Sequence, residues 1–324
     1  MDRVQTVLCQ QLGCRYPIML AGMGGVARHR LAAAVSNAGG YGVLGMVREP
    51  VERLRYEVSA MRRLTDKPFA VNLIPAATPR QQLMEQIDAC RALAVETLVF
   101  FWDVDRPLID AVRQDGFRVI HQVGTERAAE QALKAGVEAL IVQGHEAGGH
   151  VHGLTSTLAL LAPVVAMSDV PVAASGGMAS GPSIAAALAV GAQAVSLGSA
   201  FLTTHEANAH HHHKRRVVQA RVDDTCYTTR FARNWPIAAP VRVLENAVTR
   251  GDYDRIEDPN HILGSQDNEP VYLFSTDSPL ADAEGRVDDM ALYCGQSCGQ
   301  VSDIVSAGQR IENLMREVAS VSAR

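Results

Sequence analysis

The chain has 324 residues, 47% hydrophobic and 20% charged, with a formal charge of −5. That length suits one large α/β domain or a barrel with an appendage, with ample material for a core. The acidic balance gives no basic face for nucleic acid, and no run of 18 apolar residues suggests a membrane span. The start, Met1-Asp2-Arg3-Val4-Gln5, has no secretory pattern behind it, and the six cysteines read as free thiols in a reducing cytosol. A cytoplasmic location is therefore expected.

Eight short apolar runs recur along the first 200 residues: 18–22, 41–45, 69–74, 97–102, 118–123, 139–144, 171–176 and 194–199. Near-continuous apolar strands suit a parallel sheet covered on both faces. Helical patterns lie between them, at Leu31–Asn37, Val51–Leu64, Arg106–Gln114, Thr125–Ala135, Thr155–Met167 and Gly181–Val190. Thr78-Pro79 reads as an N-cap with proline at the first helical position, and Gly39 and Gly191 as helix stops. Eight βα units predict a (β/α)8 TIM barrel over 1–204 more than an open sheet. The first turn, Ala21-Gly22-Met23-Gly24-Gly25, lacks the dinucleotide fingerprint. From 205 to 300 the pattern becomes polar and is expected to form a smaller, mainly helical cap that shapes the substrate pocket. Residues 301–324 read as a closing amphipathic helix packing back on the barrel.

Barrel active sites gather at the C-terminal ends of the strands. Those ends are Gly22-Met23-Gly24 after strand 1, Asn72 after strand 3, Trp102-Asp103 after strand 4 and His121-Gln122 after strand 5. Strand 6 ends in Gln143 and the loop Gly144-His145-Glu146-Ala147-Gly148-Gly149-His150-Val151-His152-Gly153. Strands 7 and 8 end in Ser175-Gly176-Gly177 and Gly198-Ser199, the usual phosphate site of this fold. Neither of these two turns holds Lys or Arg, so recognition there would rest on backbone dipoles. Asn72 and Gln143 could bond a flavin edge, and Gly22 and Gly24 let the first loop lie flat against a ring. The competing reading for each is a satisfied polar group or a tight turn.

These motifs resemble the nitronate monooxygenase family. The resemblance rests on Pro17–Ala27, Ala33–Gly40, Phe69–Leu73, Gln143–His150, Ala174–Ala179, Leu197–Leu202 and Gly295-Gln296-Ser297-Cys298-Gly299. It implies FMN as cofactor, held by Met23, Asn72, Gln122, Gln143, Gly148, Gly177, Gly198 and Ser199, with Gly22, Gly24, Gly149, Ser175 and Gly176 beside them. It implies His150 as the catalytic histidine, bonding nitronate oxygens or taking an α-proton at a pKa near ambient. The implied reaction oxidises an alkyl nitronate or nitroalkane with O2 to a carbonyl compound and nitrite. The partners are then a small molecule and O2, with no nucleic acid and no membrane, and a homodimer is compatible. His152 and His145 are departures in the same loop. Trp235, Tyr227, Tyr293 and Phe231 are candidate pocket walls. Two other readings stand beside it: an FMN-dependent NAD(P)H:quinone or enoyl-thioester reductase on the same scaffold, and metal binding through His205 and His210–His213.

Overall fold

Apolar and small side chains with few charges make up the eight runs, so their strands bury both faces. The computed structural model describes residues 5–235 and 238–322; Met1–Val4 of the chain's start and Pro236 of the Asn234-Trp235-Pro236 stretch lie outside them. In chain order the barrel strands are β1 (Ile18–Leu20), β2 (Gly42–Gly45), β3 (Phe69–Leu73), β4 (Thr97–Phe101), β5 (Arg118–Val123) and β6 (Ala139–Gln143). A two-residue strand, β7 (Gly149–His150), intervenes before β8 (Val172–Ser175) and β9 (Ala194–Leu197). The eight long strands form one parallel sheet in the order β1-β9-β8-β6-β5-β4-β3-β2. It closes where Tyr41, just before β2, pairs with β1: Leu20 N donates to Tyr41 O at 2.9 Å and Tyr41 N to Ile18 O at 2.8 Å. The expected (β/α)8 barrel is thus the observed fold.

A helix that the periodicity does not announce, α1 (Val7–Leu12), precedes the barrel; α2 (His29–Asn37), α3 (Val51–Leu64), α4 (Arg80–Ala92), α5 (Arg106–Gln114), α6 (Glu126–Lys134), α7 (Thr157–Met167) and α8 (Gly181–Val190) fall where the sequence places helices. Thr125 caps α6 by accepting from Ala128 N, and Gly191 ends α8 at φ 115°. Thr78 does not cap α4, because its hydroxyl donates to Ile74 O at 3.0 Å; Pro79 holds the cap position. After β9 come the single turn α9 (Ser199–Leu202) and α10 (His211–Gln219).

The segment beyond α10 corrects the expectation of a mainly helical cap. It holds β10 (Thr225–Thr228), β11 (Val241–Leu244), the short α11 (Ala247–Arg250), β12 (Ile262–Gln266), β13 (Glu269–Tyr272) and β14 (Glu284–Gly285). These make two small antiparallel sheets, β10-β11-β7 and β13-β12-β14. Val241–Thr249 reads as a helix by spacing, yet Val241–Leu244 pairs with β10 on one side and β7 on the other. Tertiary pairing overrides local propensity there. Between β12 and β13, Asp267 and Asn268 both sit at positive φ, 49° and 64°, as a two-residue hairpin turn requires. Phe231, Val243, Leu263, Val271 and Met290 belong to a second apolar cluster separate from the barrel core.

The chain returns to the barrel with α12 (Ala307–Ser322), which packs on α8 and α2 and so fills the last helical position. The α8 crossing is close: a Cβ on Gly181 would stand 2.6 Å from Glu317 C and Val318 N, and Glu317 Oε2 accepts from Gly181 N at 2.6 Å. Gly181→Val should therefore destabilise the fold by about 1–3 kcal/mol through overpacking, read as a lower denaturant midpoint, while Val190→Ala on the exposed end of α8 should not.

Candidate active site

A cavity of about 440 Å³ opens at the C-terminal ends of the barrel strands, the volume of a cofactor or small-ligand site. Gly22, Met23 and Gly24 wall it from the β1 loop, Asn72 from β3, Gln122 from β5 and Gln143 from β6. Gly148, Gly149 and His150 reach it from the long loop, and Ser175, Gly176, Gly198 and Ser199 from β8 and β9. Gly177 is not part of the wall. It turns away at φ 73°, and its carbonyl accepts from Gln300 Nε2 at 2.8 Å.

Two of these positions must be glycine for space. A Cβ on Gly22 would stand 2.5 Å from Asn72 Oδ1, and one on Gly148 would meet Cys294 C at 2.6 Å. Asn72 donates Nδ2 to Val99 O at 2.9 Å, while its buried Oδ1 has no partner. A buried acceptor without a donor is costly, so a ligand N–H is the natural occupant of that position. Gln143, expected either to bond a flavin edge or to be a satisfied polar group, spends most of its amide within the protein. Its Nε2 donates to His150 O at 2.9 Å and its Oε1 accepts from His152 N at 3.2 Å. It braces the histidine loop and has one N–H left over.

The loop is held at both ends. Glu146 accepts from Thr157 N at 2.9 Å and from Thr157 Oγ1 at 3.1 Å, so a carboxylate caps the N-terminus of α7. The Glu146 carbonyl accepts from Gln296 N at 2.9 Å. The buried Arg242 of β11 grips the His145 carbonyl through Nε at 3.1 Å and Nη2 at 3.0 Å. The His145 ring packs on Tyr227, 4.6 Å between centroids, away from the cavity. His152 sits edge-on to Trp102 at 4.9 Å, behind the wall.

His150 is the one histidine of the loop that lines the cavity. Its ring stacks on Trp235, 3.7 Å and 20° apart, with Trp102 and Tyr293 as further aromatic neighbours. Its Nε2 has no partner. Burial, and secondarily the Arg48 charge, push its pKa down to about 3. The expected titration near ambient pH is thus absent, and the imidazole is neutral at pH 7. Trp102 is itself strained: a buried residue at the end of β4 with φ 84°.

At the opposite end, Ser199 Oγ accepts from Gly295 N at 3.0 Å, which leaves its proton free to donate. Ser175 Oγ is spent on Ser196 O at 3.1 Å. Ser297 also lines the cavity. Gln300 Oε1 accepts from Ala179 N at 2.8 Å and helps close this end, a role that no local signal in the sequence marks.

Other expected features lie elsewhere. Tyr227 and Phe231 do not wall the cavity, whereas Trp235 and Tyr293 do. His210 Nδ1 accepts from His212 N at 3.2 Å, His212 Nε2 lies 3.0 Å from Asp288 Oδ1, and the buried His213 bonds Tyr293 O at 3.0 Å. His205 N donates to Val305 O. These histidines diverge, and among the described residues no group of three or more His, Cys, Asp or Glu side chains converges as a metal site. All six cysteines are free, with Cys294 and Cys298 buried. Arg48, three residues past β2, and the β12–β13 hairpin over the mouth also line the cavity, although neither stands at the end of a barrel strand. The turn Asp267-Asn268 is the one sequence cue to that hairpin.

Barrel, glycine-lined cavity and unsatisfied Asn72 acceptor define the class: a (β/α)8 protein with a ligand site at the C-terminal ends of its strands. The chain belongs to the nitronate monooxygenase family, whose model matches residues 5–317. A probable nitronate monooxygenase of Staphylococcus saprophyticus is 29% identical over 370 residues, 99% of this chain and 100% of that one. A (3aS,4S,5R,7aS)-5-hydroxy-7a-methyl-1-oxo-octahydro-1H-indene-4-carboxyl-CoA dehydrogenase of Mycobacterium tuberculosis is 34% identical over 230 residues, 70% of this chain but only 64% of that protein's length. Among solved structures, FabK from Thermotoga maritima matches with a TM-score of 0.82 at 27% identity, covering 98% of this chain and 97% of that one. Nitroalkane oxidase from Streptomyces ansochromogenes matches at 0.78 and 27%, covering 98% and 99%. Among the described residues no helix is long and apolar enough to cross a membrane.

This geometry predicts two outcomes. Glu146→Ala should cost about 0.5–2 kcal/mol through the lost cap and loosen the loop, measurable as a lower unfolding midpoint together with weaker flavin retention. For His150 the folded pKa, about 3, lies below the unfolded value of about 6.5. The unfolded chain then binds the extra proton between those values, so this group's contribution is full above pH 6.5 and lost as pH falls towards 3. His150→Gln should flatten that acid limb when urea unfolding is compared at pH 7 and pH 4.5.

Proposed function

We propose that this chain oxidises alkyl nitronates with O2 to a carbonyl compound and nitrite, using FMN. The observation that carries the reading is a neutral, largely buried His150 whose Nε2 has no partner beside a cavity suited to a flavin. The residues present fit FMN. Asn72 Oδ1 offers an acceptor for a ring N–H. Gly22, Gly24 and Gly149 leave room for a flat ring system, and the Ser199 hydroxyl with the Gly176 and Gly198 backbone suits a monophosphate. FMN would supply the electron-accepting chemistry.

The chain's own part is binding and orientation. His150 as a neutral imidazole donates a hydrogen bond to a nitronate oxygen, where negative charge is concentrated. A base with a pKa of about 3 is poorly matched to removing an α-proton from a neutral nitroalkane. The reading therefore favours the nitronate, already deprotonated, as substrate. Trp102, Trp235 and Tyr293 exclude water from the reacting carbon.

A second reading, reduction of an enoyl thioester or quinone with NAD(P)H, has support in the likeness to FabK and in the CoA-thioester name of the Mycobacterium tuberculosis relative. Purified protein given a nitronate should consume O2 and release nitrite without NAD(P)H, and should turn over the parent nitroalkane far more slowly at pH 7. His150→Gln should lower kcat/KM by about 10²–10³-fold, the cost of losing one donor to a charged oxygen. Rapid bleaching of the flavin by NADH, with no response to nitronate, would establish the second reading instead.

A further inference from the structure

We propose that Arg48 recognises the substrate's negative charge, and that its exchange of partners on binding lifts Trp235 off His150. This deepens the nitronate reading and rests on it for the identity of the substrate.

Arg48 is the only Lys or Arg among the described residues that line the cavity. It is a non-glycine residue held at φ 57°, so the fold keeps it there against its backbone preference. Its guanidinium is incompletely matched. Nη1 donates to Asn234 O at 2.8 Å, Nη2 reaches Thr276 Oγ1 at 3.3 Å and Asp277 Oδ1 at 3.4 Å, and the buried Nε has no partner. A planar fork of N–H donors matches a planar anion that presents two oxygens, and the Asp277 contact is too long to satisfy it. Asp277 can release Arg48 without being stranded, because its other oxygen accepts from Ser275 Oγ at 2.6 Å and Asn234 Nδ2 at 3.2 Å.

Asn234 carries the coupling. Its carbonyl is the best-formed bond Arg48 makes, its own φ is 72°, and the next residue is Trp235. Trp235 lies 3.7 Å from His150, nearly parallel, and 8% exposed, with its Nε1 unpartnered. In this arrangement His150 Nε2 is covered. A substrate oxygen can reach it only after Trp235 moves. An anion that takes the Arg48 fork releases the Asn234 carbonyl, the shortest of the bonds that hold this cover, and leaves the longer ones from Asn234 Nδ2 to Asp277 Oδ2 at 3.2 Å and from Trp235 N to Ala232 O at 3.3 Å. Charge recognition and exposure of His150 thus become one event.

The test uses the FMN-loaded full chain, with nitrate as a planar monoanion of nitronate shape and nitromethane at pH 6 as its neutral counterpart. Nitrate should bind saturably and change the tryptophan fluorescence, a change that Trp235→Phe abolishes; nitromethane should leave the signal unchanged. Arg48→Met should weaken nitrate binding and raise the nitronate KM by about tenfold or more, with kcat changed by less than about threefold, because a ground-state contact is lost. Arg48→Lys, which keeps the charge but not the fork, should fall between. Equal responses to nitrate and nitromethane in the unmodified protein would overturn the proposal even if the variants fail to fold. So would nitrate binding unaffected by Arg48→Met, or binding with no change at Trp235. If nitrate binding depends on Arg48 but no nitronate is oxidised, the proposed reaction falls and the anion site stands.

Discussion

The site depends on one loop crossing the barrel mouth in a fixed path, and the Glu146 carboxylate is the main constraint on that path. It is bound to Thr157 at the start of α7, while the Glu146 carbonyl is bound to Gln296 N. A loop of this kind would otherwise be mobile, because Gly148, Gly149 and Gly153 add backbone freedom. Gln143 ties its far side to β6, and Arg242 ties its near side to β11. His150 has its position only because these bonds are all made together.

The same arrangement explains the electrostatics. β7 pairs with β11, so the loop joins a small sheet whose other members come from residues 225–244. That sheet, with Trp235 and Tyr293, dries the surroundings of His150. Drying lowers the imidazole pKa and strengthens any hydrogen bond made there. A neutral histidine in a dry aromatic setting suits an anionic substrate better than it suits proton abstraction. Glu146 has a structural role although it belongs to one of the stretches that carry the family resemblance.

Much of this is legible in the residues. Eight apolar runs at βα spacing point to the barrel, because a buried parallel strand must be apolar on both faces. Gly22, Asn72, Gly198 and Ser199 stand at the C-terminal ends of their strands, and the fold gathers those ends around one mouth. Gly177 adjoins Gly176 in the chain, but consecutive positive-φ residues turn the backbone, and only one of the pair faces the cavity. The cap is not legible. Its strands are too short to show a period, and although β12 and β13 form a local hairpin, β11 pairs with β7 from the distant histidine loop.

The sequence by itself therefore determined the barrel, the strand ends that line its mouth and the histidine loop, because periodicity and turn chemistry are local properties. Tertiary structure alone decided that the rings of His145 and His152 lie off the cavity, that Gln143 spends its amide on the histidine loop, and that Arg48 and Trp235 meet over His150. Those outcomes depend on contacts such as Arg48 with Asn234, 186 positions apart. The burial that shifts a pKa likewise exists only once such distant segments have packed together.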